Sequence, residues 1–190
     1  MAIDLNDPIA LLLAASSAFE QASVAAAAYG GLTLGMYGEP RETRDADLAV
    51  ASADVTVARD ALAQLGVTVV VAFAGMKFGG CTLTRLSLLG GGQLNTVDLV
   101  EPRSRRYGDA VLARSLIGTL RGQELRVVSP EDFVVLKVLA TRDRDIEDAR
   151  SVITTRSGRL DEQLMRDEID VLATEITDHD VRGRFLAVLK

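Results

Sequence analysis

The stretch from Tyr29 to Val50, YGGLTLGMYGEPRETRDADLAV, constrains this chain more than any other. An apolar run, Val24 to Tyr29, ends at the pair Gly30-Gly31, and thirteen residues, Leu32 to Arg44, separate that pair from Asp45-Ala46-Asp47-Leu48. If Arg44 to Ala51 is extended, side chains alternate with a period of two. Ala46, Leu48 and Val50 then share a buried face, and Asp45 and Asp47 point together to the other. Adjacent carboxylates repel and raise each other's pKa unless a cation sits between them. A hard ion such as Mg²⁺, held by one or two carboxylates plus substrate phosphates, is the simplest such cation. The glycine pair complements it: without Cβ, a phosphate can approach the backbone, and a helix starting near Leu32 aims free N–H groups at that anion. Alone, Gly-Gly reads as a turn and Asp-x-Asp as the solvated face of an edge strand. Together, at this spacing, they are much less common by chance.

The rest of the chain bounds the chemistry. At 190 residues it can form one domain, or a compact domain with a helical appendage. A formal charge of −6 argues against bulk attraction to nucleic acid or anionic membranes, while leaving room for a local basic patch. The single cysteine, Cys81, precludes an intrachain disulfide and fits a reducing compartment; it reads as a small buried apolar residue. The only histidine, His179, reads as a surface residue, and its isolation removes Ser-His-Asp, Cys-His and His/Cys zinc chemistry. Ile9 to Ala18 is apolar enough to resemble a signal-peptide core, but Asp4 and Asp7 precede it with no basic residue. With Asp7 as N-cap and Pro8 at the first position, it reads as a helix. No apolar run is long enough to span a bilayer, so a cytoplasmic location is expected.

Val55 to Leu65 has helical periodicity and stops at Gly66. Val67 to Phe73 is a continuous β-branched run that reads as a buried strand, with a glycine-bearing turn from Ala74 to Gly80. Cys81 to Leu89 alternates Thr82, Thr84, Leu86 and Leu88 against Leu83, Arg85 and Ser87, and Gly90 to Gly92 makes a hairpin with the next strand, Gln93 to Val100. In that strand Val97 and Leu99 face the core and Asp98 the opposite surface. It is either an exposed strand aspartate or a third carboxylate beside the first pair, able to ligate a second ion and accept a hydroxyl proton. Arg103, Arg105, Arg106, Arg114, Arg121 and Arg126 form a basic segment, read as a solvated helix face or as a surface for nucleotide or RNA phosphates. Glu124 to Val128 is a short strand. Ser129-Pro130-Glu131-Asp132 opens a helix carrying Lys137, and two amphipathic helices follow over Leu160 to Ala173 and Asp178 to Leu189.

The glycine pair, spacer and Asp-apolar-Asp-apolar run together resemble the signature of the polymerase-β-type nucleotidyltransferase superfamily, with a spacer toward its long end. The wording GGLTLGMYGEPRETRDADL is similar to the small bacterial branch that includes AbiEii-type toxins. The resemblance implies that Asp45, Asp47 and Asp98 are the catalytic, metal-binding acids, with Mg²⁺ (or Mn²⁺) in a two-ion site. It places Lys137 near the triphosphate of a bound NTP, and the aspartates of an Arg-Asp-x-x-Asp segment within Thr141-Arg142-Asp143-Arg144-Asp145-Ile146-Glu147-Asp148-Ala149, Asp145 among them, near the same pocket. Gly30 and Gly31 are expected at the phosphates, with Arg41 and Arg44 as further candidates. The fold expected is α/β (α+β), a small mixed sheet in which Val24–Tyr29, Arg44–Ala51 and Gln93–Val100 are neighbours, with helices on one side. Residues 1–128 would form the nucleotidyltransferase core and 129–190 a C-terminal helical part. The implied activity is transfer of an NMP from an NTP to a hydroxyl acceptor. The acceptor stays open between a tRNA or other RNA end, as for a toxin held by an antitoxin protein, and a small molecule such as an antibiotic, or a protein. A catalytically silent nucleotide-binding partner and a plain interaction domain are the competing readings.

Overall fold

Asp7 begins the first helix by local chemistry, its carboxylate accepting the free N–H groups of Ile9 and Ala10, both at 3.1 Å, with Pro8 at the first position. In the computed structural model, which describes residues 3–190, this is α1 (Pro8–Gln21), and it buries Leu11, Leu12, Ala15 and Phe19 against the sheet. β1 (Ala26–Tyr29), the short α2 (Gly31–Leu34), β2 (Ala46–Val50) and α3 (Val55–Ala63) follow. Then come β3 (Thr68–Phe78), β4 (Cys81–Gly90), β5 (Gln93–Pro102), α4 (Arg105–Arg114), β6 (Leu116–Leu120) and β7 (Gln123–Val127). The strands form one sheet in the order β3-β4-β5-β2-β1-β7-β6. It is mixed: β2 runs parallel to β5 and β1 to β7, while the other neighbours are antiparallel.

The three strands expected to be neighbours lie side by side as β5-β2-β1 at the middle of this sheet. Ala46, Leu48 and Val50 are buried as the period-two pattern requires, and Ala49, on the central strand β2, is buried as well. Two expectations fail at the edges. Val67 to Phe73 is not a buried strand: β3 is the outermost strand, bonded only to β4, and leaves Val70 49% and Val71 36% exposed. Nor does it end at Phe73. Bulges between Val71 and Phe73 and between Phe73 and Met76 absorb Gly75, whose N–H donates to Thr84 Oγ1 at 3.0 Å, so the strand runs on to Phe78. At the other edge, β6 was hidden within the basic segment. Arg121 and Gly122, both at positive φ, form the turn that joins it to β7.

The C-terminal helices are α5 (Pro130–Leu139), α6 (Asp143–Thr155), α7 (Glu162–Glu175) and α8 (Val181–Val188). Ser129 caps α5 by accepting the Asp132 N–H at 3.2 Å. Every residue of α5 from Asp132 to Leu139 is buried, because the helix has α6, α7 and α8 around it and meets the sheet through Phe133, whose ring packs tilted against Tyr29 with centroids 5.2 Å apart. A helix buried on every side is a core helix, and its two buried charges, Asp132 and Lys137, are ion-paired. His179, expected at the surface, is half-buried, one ring nitrogen lying 3.1 Å from the Val138 carbonyl. Among the described residues no helix is long and apolar enough to cross a membrane.

Candidate active site

Strand register assembles the acids. Asp47 on β2 is the partner of Asp98 on the parallel neighbour β5, so both side chains emerge on one face, and Asp45 precedes Asp47 by two residues. Tyr29 on β1 is opposite Asp47 on the other side. Gly30 follows with φ +80°, and a Cβ there would collide with the Asp47 carboxylate. Glycine is therefore required twice over at this position, by its backbone and by the acid against it. At Gly31 a Cβ would meet Thr43 and the Arg41 guanidinium. The acids line a cavity of about 230 Å³ together with Gly30, Arg41, Thr43, Lys137, Arg142, Arg144 and Asp145. A larger hollow of about 890 Å³ opens at the far end of β1, but among the described residues its charged lining is Glu20, Glu124 and Arg126, which form no cluster of one sign.

Asp98 is buried, not solvated, and the cause is Arg85. Arg85 sits directly across from Asp98 in the β4–β5 ladder, and its fork donates from Nε to Oδ1 at 2.8 Å and from Nη2 to Oδ2 at 2.6 Å. The same Nη2 reaches Asp45 Oδ2 at 3.5 Å, and Asp45 Oδ1 accepts from Thr96 Oγ1 at 2.9 Å. The paired carboxylates raise the pKa of the Arg85 guanidinium further. Asp47 has no hydrogen-bond donor among the described residues. Burial, reinforced by the Asp98 and Asp45 charges and only partly relieved by Lys137 and Arg142, pushes its carboxyl up to about 7.

The opposite wall is helical. Lys137 on α5 is buried, its ammonium 2.9 Å from Asp145 Oδ1 and 2.9 Å from Asp148 Oδ2, with the Tyr29 and Phe133 rings 5.3 and 5.6 Å away. Arg41 forks onto the same Asp148 at 2.8 and 2.9 Å. Burial opposes ionisation of Asp148, but Arg41 and Lys137 outweigh it and hold its carboxyl below the usual carboxylate range. Asp145 also accepts the Arg142 N–H at 3.1 Å, fixing the first turn of α6.

Asp45, Asp47, Asp98, Gly30, Arg41, Lys137 and Asp145 thus share one cavity, with Gly31 behind Arg41; Arg44 is exposed and outside its lining. Arg85 was given no role from sequence, and Asp148, Arg142 and Arg144 entered only as part of the segment that follows Lys137. Asp148 lies three positions after Asp145 on α6, a spacing that shares a helix face. Arg85 is an arginine inside an apolar alternating strand, a position that demands a buried acid. Arg142 and Arg144 are exposed at the cavity and form no ion pair among the described residues. The basic segment behaves differently. Arg103 pairs with Asp178, Arg105 with Asp109, Arg106 with Glu168 and Glu175, Arg114 with Asp132 and Glu168, and Arg121 with Asp7.

Asp45 and Asp47 suit a hard divalent ion. They are oxygen donors, Asp47 lacks a donor of its own, and Thr96 holds one oxygen of Asp45 while Arg85 is only distantly in contact with the other. Asp98 does not suit one as placed, since Arg85 takes both its oxygens. No group of three or more His, Cys, Asp or Glu among the described residues is arranged to hold a metal.

Residues 11–182 match the model of a family described as Nucleotidyl transferase of unknown function (DUF2204). No curated protein matches the sequence. Among solved structures, the chain is similar to an antigenic nucleotidyltransferase-like protein from Paracoccidioides brasiliensis, with a TM-score of 0.51 and 20% identity over 94% of this chain and 92% of that one. It is also similar to ANT(2″)-Ia in complex with adenylyl-2″-tobramycin, at a TM-score of 0.49 and 14% identity over 89% of this chain and 96% of the other. A solution structure of ANT(2″)-Ia gives 0.49 and 15% over 95% and 94%. The fold is that of the polymerase-β-type nucleotidyltransferase superfamily.

Proposed function

The chain belongs to the family of nucleotidyl transferases of unknown function, and on that premise we propose that it moves a nucleoside monophosphate from an NTP to a hydroxyl acceptor. The observation that carries this is the meeting of Asp45 and Asp47 with the bare Gly30 backbone at one open cavity. Asp45 and Asp47 would hold Mg²⁺ or Mn²⁺, whose charge, when bound, offsets that of the phosphates. Lys137 and Arg41 are already neutralised by Asp145 and Asp148, so Arg142 and Arg144, which line the cavity and form no ion pair among the described residues, are left to meet the triphosphate. Gly30 and Gly31 leave the phosphates room against the backbone. The acceptor oxygen forms a bond to the α-phosphorus as the bond to pyrophosphate breaks in line, and a carboxylate of the cluster takes the hydroxyl proton.

For the acceptor, the pairing of five of the basic segment's arginines with acids favours a small molecule or a protein over an RNA end. The narrower reading, an AbiEii-like toxin acting on tRNA and restrained by an antitoxin, is the outcome this weighs against. Incubation with α-labelled NTPs, total tRNA and a panel of aminoglycosides tests it, scored by which acceptor becomes labelled. An Asp47→Ala protein that released pyrophosphate at the wild-type rate would overturn the mechanism. Tight NTP binding with no turnover on any acceptor would make the protein a silent nucleotide-binding partner.

A further inference from the structure

We propose that Arg85 is the resident cation of the acidic cluster, and that by occupying both oxygens of Asp98 it limits the site to one divalent ion, held by Asp45 and Asp47. The inference rests on reading those two acids as a cation site. Arg85 and Asp98 are cross-strand partners in a ladder that runs in unbroken register from Cys81 opposite Pro102 to Gly90 opposite Gln93. The guanidinium is thus delivered to the carboxylate by the sheet itself and does not depend on a flexible loop. Its fork matches the carboxylate oxygen for nitrogen at 2.8 and 2.6 Å, the bidentate geometry that only arginine provides. The Phe73 ring lies 5.9 Å from the same guanidinium, and Asp98 is 3% exposed, so few water molecules compete for the pair.

Charge and lone pairs lead to the same result. Three carboxylates and one guanidinium leave two negative charges, which one divalent ion cancels. A second ion on Asp98 would have to displace the fork or sit against its positive charge. Mg²⁺ is ordinarily content with one or two carboxylates plus substrate phosphates, so Asp45 and Asp47 are a sufficient protein contribution. Asp98 then acts through Arg85: it aims the guanidinium so that Nη2 also reaches Asp45.

Mn²⁺ is the probe, counted by loss of its free electron paramagnetic resonance signal during titration of the full chain without nucleotide, with melting temperature followed in parallel. Wild type should bind one ion. Arg85→Met should bind a second, with an affinity within about tenfold of the first, and Arg85→Lys, which keeps the charge, should stay at one. Asp98→Asn still offers the guanidinium an oxygen, and should leave the single-ion Kd within about threefold of wild type, whereas Asp47→Asn should raise it more than about tenfold. Two ions in wild type, one in Arg85→Met, or a tenfold loss in Asp98→Asn would overturn the proposal; the last decides alone if Arg85→Met does not fold. A wild-type chain that binds no Mn²⁺ would instead remove the cation site on which the proposed function stands.

Discussion

The two walls of the cavity both carry aspartates but meet their charge differently. On the helical wall Asp145 and Asp148 face Lys137 and Arg41, two acids against two bases, all tied by hydrogen bonds of 2.8 to 2.9 Å. On the sheet wall Asp45, Asp47 and Asp98 face Arg85 alone, and Asp47 is left without a donor among the described residues. A balanced buried cluster holds two elements together, here α5 with α6 and the loop bearing Arg41. An unbalanced one beside a cavity retains an appetite for a cation. The difference separates residues that build the pocket from residues that work in it, although sequence placed Lys137, Asp145 and Asp47 in the same functional set.

The sharpest way to break the comparison is to remove one acid from each wall. Asp47→Asn should cut turnover by at least about a hundredfold, the scale of losing one group that stabilises developing charge, while its circular dichroism spectrum holds and its melting temperature does not fall. Asp148→Ala should do the reverse in emphasis: it leaves Arg41 and Lys137 short of a buried partner and should cost about 3 kcal/mol in urea unfolding. If Asp148→Ala proved stable but dead, the helical wall would belong to the chemistry after all.

A smaller effect is expected from cation addition. Mg²⁺ should raise the melting temperature of wild type and of Asp148→Asn but not of Asp47→Asn, since only a folded site that binds the ion gains from it.

The pH responses should have opposite signs. Asp47's folded pKa, about 7, lies above its unfolded value. Its contribution to stability in chelator is therefore complete below about pH 4 and is lost as pH rises through about 7. Asp148's folded pKa is depressed, so its contribution is present above the unfolded pKa and is lost as pH falls through the folded one. Urea melts of Asp47→Asn and Asp148→Asn against pH, with chelator present, separate the two. The smallest effect should come from Arg105→Ala, which removes an exposed pair with Asp109 and should change stability by no more than about 0.5 kcal/mol and leave nucleotide transfer unchanged.

Sequence reading succeeded where the signal was local. The Asp7-Pro8 and Ser129-Pro130 starts are caps satisfied within three residues, and the Gly91-Gly92 turn lies where the glycine run placed it. It failed where the deciding partner was distant. Val67 to Phe73 has the composition of a buried strand, and only the strand order leaves it at an edge. The arginines from Arg103 to Arg121 look like a basic patch until Glu168, Glu175 and Asp178, contributed by α7 and the loop after it, are brought against them.

By itself the sequence determined that a glycine pair precedes two acids on one strand face, that a capped helix brings a lysine after them, and that the chain carries one histidine and one cysteine. Those are properties of neighbours along the chain, written in periods of two and of 3.6. Tertiary structure alone decided that Asp98 is spoken for by Arg85, that Lys137 is neutralised, and that Arg142 and Arg144 meet no acid among the described residues. Each depends on which charges meet across strands or helices far apart in the chain, and register and packing, not composition, set those meetings.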